Sequence, residues 1–92
     1  MNAEKQAKLF KALGDPTRLL IVEMLLKGEL CVCKIIPNTC KSQPTVSAHL
    51  KVLHEAGLVK SRREGLSVYY FLADDNIRDL LSVSKKIRGD LN

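Results

Sequence analysis

The hydrophobic pattern of this chain changes from helical to alternating near Gly57, and this change limits the folds that the chain can adopt. Before Gly57, apolar residues recur at spacings of three and four, which is typical of amphipathic helices. After Gly57, the runs "LVKSRRE" and "LSVYYFL" are typical of strands and flank Gly65, with β-branched and aromatic residues in the second run. The pattern therefore predicts a mainly α fold with one small β-hairpin.

Residues that start and stop helices divide the rest of the chain. Asp15 is a predicted N-cap followed by Pro16 at the first helical position, and Ser42 is a second predicted N-cap. Pro37 is expected to end the short helix that contains the cysteines. The predicted helices run from about Ala3 to Leu13, from Pro16 to Gly28, from Glu29 to about Ile36, from Ser42 to Gly57 and from about Asn76 to Ile87.

The length of 92 residues predicts a single domain, residues 1–92, which we expect in the cytoplasm. No segment is long and apolar enough to span a bilayer and no secretory signal is visible, so we expect no membrane partner and reduced thiols. The net charge of +5 favours an anionic partner such as nucleic acid. Because no acid–base pair, nucleophile motif or Gly-rich phosphate loop is present, we do not expect an enzyme.

Two short helices joined by a turn and followed by a basic hairpin predict a winged helix-turn-helix, which binds double-stranded DNA. The helix after Ser42 carries polar residues that can reach base edges in the major groove. These are Gln43, Thr45, Ser47, His49 and Lys51. The hairpin, or wing, carries Lys60, Arg62 and Arg63, which can neutralise phosphates or enter the minor groove.

Three long segments resemble the ArsR/SmtB family of metal-sensing transcriptional repressors. They are "LFKALGDPTRLLIVEMLLKGELCVC", "SQPTVSAHLKVLHEAGLV" and "REGLSVYYFL", in the family's order with almost no gaps over roughly residues 6 to 72. The resemblance implies a winged helix-turn-helix repressor that an inducer releases from its operator. It places the family's recognition-helix contacts on Gln43, Pro44, Ser47 and Ala48, and its wing contacts on Arg62 and Arg63.

The resemblance also implies a homodimer in which the first and last helices pack across a two-fold axis. Both helices have apolar faces that a monomer of this size could hardly bury. The residues expected in the interface are Leu9, Phe10, Leu13, Ile77, Leu80, Leu81 and Ile87. Zinc and nickel sensors of the family bind metal on the last helix, but this chain has Asp74, Asp75 and Asp79 there and no histidine. We therefore expect no metal site on that helix.

All 3 cysteines lie in "ELCVCKIIPNTC", where Cys31 and Cys33 form a Cys-x-Cys motif. Thiolates suit trivalent arsenic and soft divalent metals. The family's arsenic and antimony sensors carry this motif at the start of the first helix of the helix-turn-helix. The resemblance thus implies Cys31 and Cys33 as ligands of arsenite, antimonite or a soft divalent metal, and a role in arsenic resistance. On a regular helix the two sulfurs would diverge by about 200°, so both can bind one ion only where the helix end is distorted.

Cys40 is a possible third ligand. The family's trigonal site continues as Cys-x-Cys-x-x-Cys, and Ile36 occupies that third position here. Along a continuous helix, Cys40 would lie about 10 Å from Cys33, whereas sulfurs around one ion lie within roughly 4 Å of each other. No obligatory cofactor is predicted. Three alternatives stay open: a redox switch among the thiols, structural cysteines in a repressor with another inducer or none, and a winged-helix module that docks onto a protein.

Overall fold

Five α-helices and three short β-strands make up the part of the chain that the computed structural model describes, residues 2–87 and 89. The elements in chain order are α1 (Ala3–Leu13), α2 (Pro16–Leu25), β1 (Leu30–Cys31), α3 (Val32–Thr39), α4 (Gln43–Glu55), β2 (Val59–Glu64), β3 (Ser67–Leu72) and α5 (Asn76–Ile87). This arrangement confirms the predicted fold class, mainly α with a small β-hairpin. None of the helices in the described residues is long and apolar enough to cross a membrane.

One hydrophobic core connects all five helices with the sheet. It is built around α2, whose Ile21 and Val22 have no exposed surface, and around α4. Full burial of a side chain such as Ile or Leu contributes about 1.5–3 kcal/mol, so these contacts hold α4 against the core. The buried apolar residues of this core are Ala12, Leu13, Ile21, Val22, Leu25, Ile35, Val46, Leu50, Leu53, Leu58, Val59, Ile77 and Leu81.

The sheet has the order β1-β3-β2, with both pairs antiparallel. β2 and β3 form the predicted hairpin, and Gly65 in its turn has a φ of +61°, which an L side chain adopts only with strain. β1 was not expected from the sequence pattern. Leu30 and Cys31 pair with Tyr70 and Tyr69 on the free edge of β3, so the short N-terminal strand makes the wing three-stranded.

The predicted helix from Glu29 to Ile36 is wrong at both ends. It begins only at Val32, because pairing with β3 extends the two residues before it. It continues through Pro37 to Thr39, because the side chains of Asn38 and Thr39 donate hydrogen bonds of 2.8 Å to carbonyls of the preceding turn. The second helix also ends earlier than predicted, at Leu25.

Candidate nucleic-acid interface and thiol pair

The N-terminal half of α4 presents a small polar face to solvent. Ser42 caps the helix, since its hydroxyl accepts a hydrogen bond from the Thr45 N–H at 3.4 Å and donates one to the Thr45 hydroxyl at 3.0 Å. Val46, Leu50 and Leu53 face the core, which turns the remaining residues outward. The exposed residues include six of the predicted DNA contacts: Gln43, Pro44, Thr45, Ser47, Ala48 and Lys51.

His49 is the predicted contact of α4 that the structure places differently. Its side chain is only 19% exposed, and its Nδ1 lies 3.2 Å from Nη1 of Arg18. Because a guanidinium has donors but no acceptor, Nδ1 of His49 must accept this hydrogen bond. The imidazole therefore faces the turn between α1 and α2, where Arg18 offers a donor that the sequence pattern did not reveal.

Arg62, on the wing, is held by neighbouring side chains. It forms ion pairs with Glu29 at 2.6 Å and with Glu64 at 3.2 Å, and its guanidinium lies over the ring of Tyr69, 4.6 Å from the centroid. The hydrogen bond and charge of Arg62 lower the pKa of Glu29, and the two carboxylates raise the pKa of Arg62. Much of the positive charge that Arg62 could offer to DNA is thus neutralised within the protein.

Arg63 and Lys60 are the wing cations that remain accessible. Both are exposed, and within the described residues neither takes part in an ion pair. Arg63 lies opposite Val68 and Lys60 opposite Phe71 in the hairpin register, so their side chains leave opposite faces of β2. The wing therefore keeps two free cations for contact with phosphates.

Cys31 and Cys33 lie on either side of the boundary between β1 and α3. Cys31 is the N-cap, with an extended φ of −66° and ψ of 143°, and its sulfur accepts a hydrogen bond from the Cys33 N–H at 3.2 Å. A hydrogen bond from the Cys33 thiol is the main cause that lowers the pKa of Cys31, and it raises the pKa of Cys33. Because only Cys33 lies within the helix, the divergence expected for two helical sulfurs does not arise.

Cys40 lies at the other end of α3 from this pair. It is the C-cap, in the left-handed conformation with φ of 58°, and its side chain is exposed. Among the described residues, no group of three or more His, Cys, Asp or Glu side chains is placed to hold a metal ion. Cys40 as a third ligand stays a prediction. Just before α5, Asp74 accepts a hydrogen bond of 2.7 Å from the Asn76 N–H, which is a capping contact.

A cleft of about 370 Å³ brings the thiol pair together with α4 and the wing. Cys31 and Cys33 form one side, Gln43 and Ser47 of the exposed α4 face form another, and Ser67 belongs to β3. A ligand of the thiols in this cleft would therefore lie beside residues predicted to contact DNA.

The residues predicted for the dimer interface fall into two groups. Leu13, Ile77 and Leu81 are buried in the core of a single chain, and Leu9 and Leu80 are packed against that core. Phe10 and Ile87, by contrast, are 51% and 78% exposed. Val83 and Leu19 are exposed as well, and Phe10, Leu19 and Leu80 line a shallow apolar groove between α1, α2 and α5. The exposed apolar surface of a single chain therefore includes Phe10 and Ile87 and extends to Leu19 of α2, and the dimer interface itself stays a prediction.

Two residues at these sites were missed by the sequence reasoning. Arg18 bonds His49, and Glu29 pairs with Arg62. The two residues of each contact are 31 and 33 positions apart in the chain, respectively, so no local spacing marks them. Tyr69, beneath the same arginine, is its cross-strand partner in the hairpin.

Comparison with known proteins decides the family. The profile of the bacterial regulatory protein, arsR family, matches residues 15–61, which include α2, α3, α4 and the start of the wing. This chain belongs to the arsR family. As an ArsR-family protein it is a transcriptional regulator with a winged helix-turn-helix domain, and not an enzyme.

Two curated relatives of this ArsR-family chain are named after resistance to toxic elements. One is the cadmium resistance transcriptional regulatory protein CadC homolog of Staphylococcus aureus, 46% identical over 81 residues, 87% of this chain and 67% of the relative. The other is the arsenical resistance operon repressor of Escherichia coli, 48% identical over 67 residues, 72% of this chain and 57% of the relative.

A solved structure supports the same family fold. It is the solution structure of a homodimeric winged helix-turn-helix DNA-binding domain from Mycobacterium bovis, a possible ArsR-family transcriptional regulator. The TM-score is 0.85 at 34% identity, covering 92% of this chain and 79% of that one.

Proposed function

We propose that this ArsR-family chain is a homodimeric repressor that places α4 of each subunit in the major groove of an imperfect palindromic operator. The exposed polar face of α4 supports this proposal, since its short side chains can reach base edges. Lys60 and Arg63 on the wing supply positive charge for the flanking phosphates. Arg62 reaches DNA only if it exchanges its carboxylate partners for a phosphate.

The proposed homodimer is supported by the exposed apolar surface. Phe10, Leu19, Val83 and Ile87 are large apolar side chains left open on α1, α2 and α5. Burying them against a second copy would remove this surface from water. The homodimeric relative from Mycobacterium bovis is in line with this proposal.

The inducer in this proposal is a thiophilic ion that binds Cys31 and Cys33, with arsenite first. The observation that carries the sensing role is the cleft that the thiol pair shares with Gln43 and Ser47. Cys31 suits such a ligand, because its lowered pKa increases its thiolate fraction and thiolates bind soft ions. Resistance to cadmium and to arsenicals in the names of two relatives points to the same class of ion.

Ligation at the thiol pair has a short route to the DNA-binding elements. Drawing both sulfurs onto one ion would move the junction of β1 and α3. β1 is paired with β3 of the wing, and Ile35 of α3 is buried in the same core as Val46 and Leu50 of α4. A displacement there lowers the population of the conformation that binds DNA, which releases the operator.

Gel-shift titrations on the chain's own promoter at several salt concentrations test the DNA-binding function. Phosphate-driven binding must weaken steeply as salt rises. Binding that ignores salt, or that is absent, would instead favour a winged-helix module that docks onto a protein.

Inducer titrations of the DNA complex test the sensing role. Reduced protein is treated with arsenite, antimonite, cadmium and zinc, and the measurement is repeated with Cys31→Ser, Cys33→Ser and Cys40→Ser. We expect release by thiophilic ions to be lost in the first two variants. If the double variant of Cys31 and Cys33 still releases DNA normally, the thiols are structural. If release follows oxidation rather than ion addition, they form a redox switch.

A further inference from the structure

Arg18 ties the end of α1 to the start of α2. Its Nε donates a hydrogen bond of 2.6 Å to the Ala12 carbonyl, and its Nη2 donates one of 3.3 Å to the Lys11 carbonyl. Carbonyls in the last turn of a helix lack i+4 partners, and the guanidinium bonds two of them in α1. The Lys11 carbonyl also accepts a hydrogen bond of 3.2 Å from the Gly14 N–H. The Arg18 N–H also donates to the Asp15 carboxylate at 3.0 Å, which caps α2.

The third nitrogen of the same guanidinium reaches α4. Nη1 of Arg18 lies 3.2 Å from Nδ1 of His49, and the Asp15 carboxylate lies 3.9 Å from that nitrogen. All three guanidinium nitrogens are thus in use, two on α1 and one on α4. His49 and Arg18 are 31 positions apart, so this is a tertiary connection between the N-terminal helices and the recognition helix.

The apolar contacts of α4 do not fix its position by themselves. Val46, Leu50 and Leu53 hold the helix on the core, but hydrophobic contact is non-directional and tolerates small rotations and translations. A hydrogen bond to a charged donor is directional. His49 lies in the same turn of α4 as Ser47 and Lys51, two predicted base contacts, so its bond fixes the orientation of the turn that would read DNA.

We propose that Arg18 and His49 are positioning residues, which fix the orientation of α4 relative to α1. This inference rests on the proposed homodimer, in which α1 bears the exposed Phe10 of the partner surface. The attachment of α4 to α1 then sets the distance and angle between the two recognition helices. His49 therefore governs which half-site spacing the dimer accepts, without touching a base.

The test uses the full chain and DNA that the wild-type protein itself selects from randomised palindromic duplexes. The best duplex is remade with one base pair added or removed between its half-sites. We expect His49→Ala to lose about tenfold in affinity for the selected spacing, the scale of one charge-assisted hydrogen bond. The ratio of its affinities for the selected duplex and for the respaced duplexes should become smaller. The salt dependence and the base preferences within each half-site should stay unchanged.

Two further variants separate positioning from simple destabilisation. Asn in place of His49 puts an acceptor, Oδ1, the same number of bonds from the backbone as Nδ1, so His49→Asn should restore most of the spacing preference. Arg18→Gln should show the same loss as His49→Ala, and the double variant should lose no more than either alone. His54→Ala, an exposed position on the same helix, is the matched control.

Distinct outcomes would overturn this inference. A lower salt dependence, or a relaxed preference at one base position in His49→Ala, would mean that His49 contacts DNA directly. An unchanged spacing preference, or losses in the Arg18 and His49 variants that simply add, would mean that the bond does not position α4. If the wild-type protein selects no duplex at all, the DNA-binding function itself fails, and this inference with it.

Discussion

Arg62 donates two hydrogen bonds to Glu29, at 2.6 and 2.8 Å, although the two residues are 33 positions apart. The pair holds β2 of the wing to the segment just before β1, with Tyr69 of the intervening strand beneath the guanidinium. It therefore connects the wing with the residues that lead into Cys31. Because of this ion pair, one of the two arginines predicted to contact DNA already has a carboxylate partner within the protein.

Replacing Glu29 with Gln should increase the affinity for DNA. The change removes a carboxylate near the wing and leaves Arg62 paired with Glu64 alone. Arg62 should then exchange its remaining partner for a phosphate more readily, which adds up to about one counterion to the salt dependence. We expect a gain of about threefold at low salt, measured by fluorescence anisotropy with a labelled duplex across salt concentrations. Glu23→Gln, which removes a carboxylate paired with Lys85 on α5, is the control. Weaker binding in Glu29→Gln would show that the pair holds the wing in its binding position.

Arg63 should matter more for DNA binding than Arg62 does. Arg63 is exposed and, within the described residues, has no carboxylate partner, whereas Arg62 has two. Arg63→Gln should therefore weaken binding severalfold and reduce the salt slope by about one, and Arg62→Gln should change both much less. The same anisotropy titration compares the two variants. Equal losses would mean that Arg62 leaves Glu29 when DNA arrives.

The thiol of Cys33 controls the ionisation of Cys31. Its hydrogen bond lowers the pKa of Cys31, so Cys33→Ala should raise that pKa toward the ordinary thiol value. The Cys31 thiolate would then form only at higher pH than in the wild type. Ultraviolet thiolate absorbance during a pH titration, in a Cys40→Ser background, follows this change. If the pKa of Cys31 does not change in Cys33→Ala, the hydrogen bond from the Cys33 N–H, and not the thiol, is what lowers it.

Phe10 should be required for dimerisation. Its side chain is 51% exposed on α1 and lines the apolar groove with Leu19 and Leu80. A charge placed there would be buried without a partner in the dimer, so Phe10→Glu should yield monomers at micromolar concentration by analytical ultracentrifugation. Leu66→Glu, at a fully exposed leucine of the wing turn, should leave the dimer intact. A dimeric Phe10→Glu protein would place the interface elsewhere.

Two adjacent isoleucines of α3 should differ in their effect on stability. Ile35 has no exposed surface, while Ile36 is half-buried at the edge of the core. Ile35→Ala should lower the free energy of unfolding by about 2–5 kcal/mol, because it leaves a cavity in the core. Ile36→Ala should cost clearly less, since its site is open to solvent. Urea unfolding followed by circular dichroism measures both.

Local patterns were sufficient to predict most of the elements. The caps at Asp15 and Ser42, the spacing of apolar residues in α2 and α4, and the alternation after Gly57 are properties of neighbouring residues. They fixed the fold class, the outward face of α4 and the basic wing. The same signals failed for β1, because a strand of two residues forms only where another strand offers its edge.

The sequence by itself determined the winged helix-turn-helix, the family and the residue types of the candidate sites. Only the tertiary structure decided which of those side chains are accessible to a ligand and which are paired or buried within the chain. It turned His49 toward Arg18, paired Arg62 with Glu29, buried Leu13, Ile77 and Leu81 in one chain, and set Cys31 outside the helix of Cys33. The physical reason is that hydrogen bonds and ion pairs between distant segments depend on three-dimensional proximity, which no periodicity along the chain records.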